Sequence, residues 1–377
     1  MKKKLAIICA NTEQIPLVLK AKEMGIETFC FSWEKTDEHT VCKDIADYFY
    51  PISILEKEQI LEKCLELKVD GVTSIMNDYA APTVAFIAQN MGLIGNGYED
   101  SLIPTNKYKA RQAYLKNGAN SPRFAISKEG QIPDLSGFKY PLIVKPADGR
   151  ASIGVMKVDS VKELHPALLR AQKESFIGEV IIEEFIDGSE VSVETISWQG
   201  KHYVLAVTDK ITTGAPYFVE IAHHIPSQHN QMILDKIKDE TQKALDALNF
   251  KYGACHVELK VNEEKQVYII EVNPRMGGDY ISDLVRNSTG LDFVKMQINV
   301  ALGCWEEPDI SHKYFSGVYF LGKGYEWVKQ VITDKDKDLD VIEAVISKEE
   351  LYPLQSSVDR SGYFIYKSDR KRTWNGY

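Results

Sequence analysis

The chain reads as an α/β domain followed by an α+β unit rich in antiparallel strands and a small α+β tail. Three observations predict this. To about residue 105, short apolar runs alternate with amphipathic stretches, the signature of a parallel sheet with crossover helices. From about Asn106, strand-like runs crowd together with few helices between them. The length of 377 residues exceeds what one compact core organises. The expected divisions are residues 1–105, 106–305 and 306–377.

In the first division, Leu5–Cys9 reads as a buried strand and Ile15–Glu23 as a helix closed by Gly25. Ile26–Phe31 is the next strand, followed by helix Leu55–Leu67, strand Gly71–Ile75 and helix Thr83–Met91, stopped by Gly92. The lysine-rich start with its short apolar run lacks a clear cleavage site, so it reads as the first strand rather than a leader. The turn Cys9–Gln14 has no GxGxxG pattern, which removes a dinucleotide-binding reading. In the second division, Tyr108–Lys116 is helical. Strand-like runs follow at Leu142–Lys145, Ile153–Lys157, Val180–Phe185, Val191–Ser197 and Tyr203–Thr208. A helix covers Ile233–Leu248 ahead of two strands, Ala254–Val261 and Val267–Val272. The tail holds strands at Ser316–Phe320 and Gly362–Tyr366 and is expected to pack on the second division.

A net charge of −9 speaks against broad nucleic-acid binding. No apolar run is long enough to span a bilayer. Six scattered cysteines without a CxxC pair read as reduced core thiols, so the expected location is cytoplasmic.

The strongest chemical signal lies in the last strand pair of the second division. In Cys255–Lys260, polar residues alternate with apolar ones, so His256, Glu258 and Lys260 share one face. Glu271 and Asn273 likewise share a face of the following strand. With Asn262–Lys265 as the hairpin loop, Val261 pairs with Gln266. His256 then lies opposite Glu271, with Glu258 on the diagonal. Two carboxylates and an amide oxygen are hard ligands that suit Mg²⁺. Glu271 sits within the apolar run Ile269–Val272, where an acid is costly unless paired or metal-bound. Arg275 follows at once, placed to neutralise charge on a phosphoryl group.

Upstream, Lys145 ends an apolar strand, and the small-residue stretch Ala147–Val155 lets backbone N–H groups approach phosphate oxygens. The strand end Glu183-Glu184-Phe185-Ile186 offers backbone to an adenine edge, and Glu190 offers a carboxylate to ribose hydroxyls. Taken in order with Lys107 and the Glu271-Val272-Asn273-Pro274-Arg275 segment, this set resembles the ATP-grasp superfamily. The flanking divisions resemble those of its biotin-carboxylase-like branch.

The resemblance implies an ATP-grasp fold with an antiparallel-sheet core and a mobile lid over about residues 120–188. It also implies roles for individual residues. Lys107 and Lys145 contact phosphates, and Gly149, Ser152 and Gly154 belong to the loop over them. Glu183, Glu184 and Ile186 line the adenine hinge, while Glu190 holds the ribose. Glu258, Glu271 and Asn273 hold one or two Mg²⁺ ions, with Mn²⁺ as an alternative. Arg275 and Lys145 are the expected catalytic groups. A homodimer is compatible with the resemblance, though no interface is identified in the sequence.

The segment Gly214–Pro226 and the stretch Met276–Tyr280 resemble those of L-amino-acid ligases. By that resemblance, Glu220, His223, Arg275, Gly277 and Gly278 contact the substrate. A zinc site on His223, His224 and His229 lacks any supporting cysteine cluster. The implied reaction activates a small carboxylate as an acyl phosphate and joins it to an amine. Bicarbonate or purine-precursor chemistry is the second enzymatic reading, and a non-catalytic ATP-binding regulator is the third.

Overall fold

The computed structural model describes residues 2–149 and 153–374. Ser152, expected in the phosphate loop, lies outside the described residues.

The first part contains β1 (Lys4–Ile8), α1 (Ile15–Glu23), β2 (Glu27–Phe31), β3 (Tyr48–Tyr50), α2 (Lys57–Leu67), β4 (Gly71–Thr73), α3 (Ala80–Met91) and α4 (Tyr98–Leu102). Its strands form a parallel sheet in the order β3-β2-β1-β4. β1 is apolar from Leu5 through Ile8 because helices cover both of its faces.

Helix α5 (Lys107–Asn117) leads into a small antiparallel sheet of β5 (Phe124–Lys128), β6 (Leu142–Pro146), β7 (Met156–Val158) and β8 (Glu179–Glu184). Helix α6 (Val161–Glu174) lays Leu164, Ala167, Leu168 and Ala171 on this sheet. The expected strand Ile153–Lys157 begins later, at Met156, because Gly154 turns the chain with φ +74°.

The central sheet has eight strands in the order β13-β12-β9-β10-β11-β14-β16-β15. They are β9 (Ser189–Trp198), β10 (Lys201–Thr212), β11 (Glu220–Ile225), β12 (Gly253–Val261), β13 (Val267–Asn273), β14 (Phe315–Leu321), β15 (Val341–Ile346) and β16 (Gly362–Ser368). The tail therefore continues this sheet with three strands. Helix α7 (Gln231–Ala247) precedes β12, α8 (Ile281–Thr289) and α9 (Phe293–Ala301) follow β13, and α10 (Trp327–Thr333) lies between β14 and β15. Strand β11 escaped the sequence reading. It is a central strand buried along nearly its whole length, so His223-His224 breaks the simple alternation.

The alternation of β9, β12 and β13 divides the sheet by chemistry. Val191, Val193, Val257, Leu259 and Ile269 pack on Ile233, Ile237 and Leu245 of α7. The opposite face collects the polar residues, and the candidate site is built there.

Candidate active site

Strand register assembles the polar floor. Glu258 lies opposite both Glu271 on β13 and Ser192 on β9. Glu190 lies opposite both Lys210 on β10 and Lys260 on β12, and Lys210 lies opposite His223 on β11. The observed β12–β13 register differs from the expected one. Asn262 closes on Gln266 through paired backbone and side-chain hydrogen bonds, with Lys265 left-handed at φ 61°. That three-residue loop sets Val261 opposite Val267. A bulge at Ile270 then shifts the register again, so Glu271 faces Glu258 directly and Asn273 faces His256. The unpaired Ile270 carbonyl accepts a 2.7 Å hydrogen bond from Arg111.

Two ammonium groups neutralise the facing acids. Lys107 Nζ lies 2.8 Å from Glu271 and donates to the Gly149 carbonyl at 2.6 Å. Lys210 Nζ lies 3.0 Å from Glu258, 3.2 Å from Glu190 and 3.4 Å from Glu220. Burial disfavours the charged form of Lys210, but the three acids outweigh it and hold its pKa well above the usual lysine value. Burial likewise opposes ionised Glu258, and Lys210 with His256 keeps it ionised. His256 Nδ1 donates to Glu194 at 2.7 Å; burial disfavours its charge, but the acids raise its pKa to about 9. A Cβ at Gly277 would come 2.7 Å from His256 Nδ1, so this glycine serves close packing against the His256–Glu194 pair. Gly278 lines the neighbouring cleft, and Gly277 packs behind it.

Glu183 does not present a free carboxylate to the hinge. It is buried between Arg111 at 2.8 Å and Lys145 at 2.7 Å. Burial would raise its pKa, yet the two cations hold it at about 2. Lys145 thus stands at the cleft as half of an ion pair, with burial lowering its own pKa. Glu184 uses its carboxylate on the Lys139 N–H at 2.9 Å.

Arg275 is held by Asp78 of the first α/β part at 2.7 Å and donates to the Met276 carbonyl at 3.0 Å. Burial opposes its charge, and Asp78 raises its pKa regardless. His223 is buried with Nε2 3.4 Å from Asp279. Its neighbour His224 turns to Tyr366 at 3.1 Å, and His229 to Ser189 at 3.1 Å, so the three histidines do not converge.

These groups line two adjoining clefts. The first carries Lys145, Gly149, Glu184, Ile186 and Glu190. The second, of about 530 Å³, carries His223, Asn273, Arg275, Gly278 and Asp279. Lys107, Glu220, Glu258 and Glu271 line both, so the facing acids stand at the boundary. Among the described residues, no three His, Cys, Asp or Glu groups gather closely enough to hold an ion unaided. The donor set fits a Mg²⁺ ion that takes only one or two carboxylates and completes its shell with water and phosphate.

Residues 138–283 match the ATP-grasp domain family. A D-alanine–D-alanine ligase of Parabacteroides distasonis is 30% identical over 327 residues, covering 80% of this chain and 97% of that protein. The chain belongs to the ATP-grasp family. The ATP-grasp fold extends over the whole chain: a crystal structure of an L-amino acid ligase from Bacillus licheniformis superposes with a TM-score of 0.80 at 26% identity. It covers 98% of this chain and 94% of that one. An alanine–anticapsin ligase of Bacillus amyloliquefaciens is 25% identical over 299 residues, and the match takes in 68% of this chain and 62% of that relative.

Sequence reasoning missed Lys210, Arg111, Asp78, Asp279 and Arg360. Lys210 carried a signal, since Thr208, Lys210 and Thr212 alternate on one face beyond the expected end of their strand. Arg111 is four residues beyond Lys107 and so shares its helix face.

Proposed function

We propose that this ATP-grasp chain is an ATP-dependent carboxylate–amine ligase acting on an amino acid. It activates the carboxylate as an acyl phosphate, joins it to an amine, and releases ADP and phosphate. The observation that carries this reading is the position of Glu258 and Glu271 at the boundary of the two clefts. ATP occupies the first cleft, with its adenine at Glu184–Ile186 and its ribose at Glu190. Its terminal phosphate then reaches the boundary acids. Glu258, Glu271 and Asn273 would hold Mg²⁺, which screens phosphate charge when bound. Lys107 and Lys145 neutralise phosphate oxygens, and Arg275 steadies the transferred group.

The second cleft supports an amino acid as the carboxylate substrate. Its lining includes the cations Lys107, Lys210 and Arg275 and the acids Glu220 and Asp279. Groups of both charges suit a zwitterion. Covering the cleft protects the acyl phosphate from water while the amine attacks. Among the described residues no helix is long and apolar enough to cross a membrane, and a cytoplasmic location is part of the proposal.

The test is release of ADP and phosphate by purified protein with Mg-ATP. Pools of amino acids, other small carboxylic acids, bicarbonate and aminoimidazole nucleotides are each supplied. Release that requires amino compounds is expected. Release with bicarbonate alone, or none with any pool despite tight ATP binding, contradicts the reading.

A further inference from the structure

The second cleft is bounded partly by the tail. Gln355–Val358 line it, and Arg360 lies just behind them with its side chain almost fully buried. Arg360 does not line the cleft, but it grips two acids that do. Its guanidinium donates to Asp279 Oδ1 at 2.6 Å, to Glu220 Oε2 at 3.2 Å and to the Glu220 carbonyl at 2.9 Å. The plane of the group stacks on the Phe320 ring, 3.8 Å from its centroid. One planar fork thus ties β11 to the turn after β13, at the two residues whose carboxylates face the substrate side. Asp279 in turn meets His223 at 3.4 Å, and Glu220 meets Lys210 at 3.4 Å.

Chemistry requires something of this kind. Glu220 and Asp279 are acids on one wall of a partly dehydrated cleft. Without a shared cation they would repel and turn towards solvent. A lysine could supply the charge, though not the fixed fork and the stacking face. Asp279 also sits at φ 53°, a backbone state that favours glycine, so its orientation depends on its partners.

We propose that Arg360 is a positioning residue for substrate recognition, fixing Glu220 and Asp279 so that the remaining lone pairs of their carboxylate oxygens, already shared with Lys210 and His223, receive the ammonium group of an amino-acid substrate. This rests on the ligase reading above. It makes the tail a determinant of which amines and amino acids are accepted.

The test compares the full-length protein with Arg360→Lys and Arg360→Met. For each, the KM for the amino-acid substrate, the KM for ATP, and amino-acid binding by calorimetry without nucleotide turnover are measured. Thermal melts establish that each variant folds. Loss of charge-assisted hydrogen bonds predicts a rise of about tenfold or more in amino-acid KM for Arg360→Met. A smaller rise is expected for Arg360→Lys, and the ATP KM stays within about twofold in both. Guanidinium ion added to Arg360→Met is expected to recover part of the loss. Unchanged amino-acid KM and binding in a folded variant overturns the inference and leaves the ligase reading standing. Equal rises in both KM values reduce Arg360 to a structural role and also overturn it. If the wild type neither binds nor turns over amino acids, the ligase reading itself falls and takes the inference with it.

Discussion

Glu183 shows how a residue's partners add to what its sequence neighbours suggest. The sequence reads it as part of the adenine hinge, and it does line the first cleft. In the fold it balances Arg111 and Lys145 in a buried triad. Its pKa falls from an ordinary 4.5 to about 2, so its stabilising effect is complete above 4.5 and is lost as pH falls towards 2. Each tenfold change in proton affinity is about 1.4 kcal/mol, which makes the effect of order 3 kcal/mol. Urea unfolding between pH 5 and 2 (about that range) is expected to steepen accordingly, and Glu183→Gln to remove that part of the slope while lowering stability at neutral pH. An unchanged slope in the variant would contradict the triad's role. The facing acids Glu258 and Glu271 were legible because strand alternation gives each a polar face. The cations that meet them were less so, since an ion pair between β10 and β12 depends on long-range register. Arg360 left no signal at all: its partners are 81 and 140 residues away.

Among the elements, helix α5 matters most to the nucleotide end. It points Lys107 at Glu271 and Gly149, and one turn later Arg111 at Glu183 and Ile270. Asn106 caps it, accepting from the Lys109 N–H at 3.0 Å. Loss of such a cap costs about 1 kcal/mol. Asn106→Ala is therefore expected to lower stability by about that amount and to weaken nucleotide binding measured by calorimetry, with Asn106→Asp restoring both. Unaltered nucleotide affinity in a measurably destabilised Asn106→Ala protein would show that α5 does not position Lys107. The β12–β13 hairpin marks the limit of legibility at this scale. The two strands and their alternation were readable. Their register was not, because it hangs on a left-handed Lys265 and on a bulge that delivers the Ile270 carbonyl to Arg111.

At the scale of the molecule, three sheets converge on one boundary. The turn between β4 and α3 contributes Asp78, which holds Arg275; the small antiparallel sheet contributes Lys145 and Glu183; the central sheet contributes the facing acids. The succession of an α/β part and an antiparallel unit was readable from period and spacing. The continuation of the central sheet into the tail was not, because β14 joins β11 across about 90 residues of intervening chain. In the proposed reaction ATP supplies the energy, and Glu271 at the boundary of the two clefts would hold the metal that meets its phosphates. The most direct test is amino-acid-dependent ADP formation by wild type and Glu271→Gln, with circular dichroism and melting used to confirm the fold. Release by the wild type is expected, with its loss, by at least about a hundredfold, in a folded Glu271→Gln protein. Near-normal ADP formation by that variant would contradict that role of Glu271.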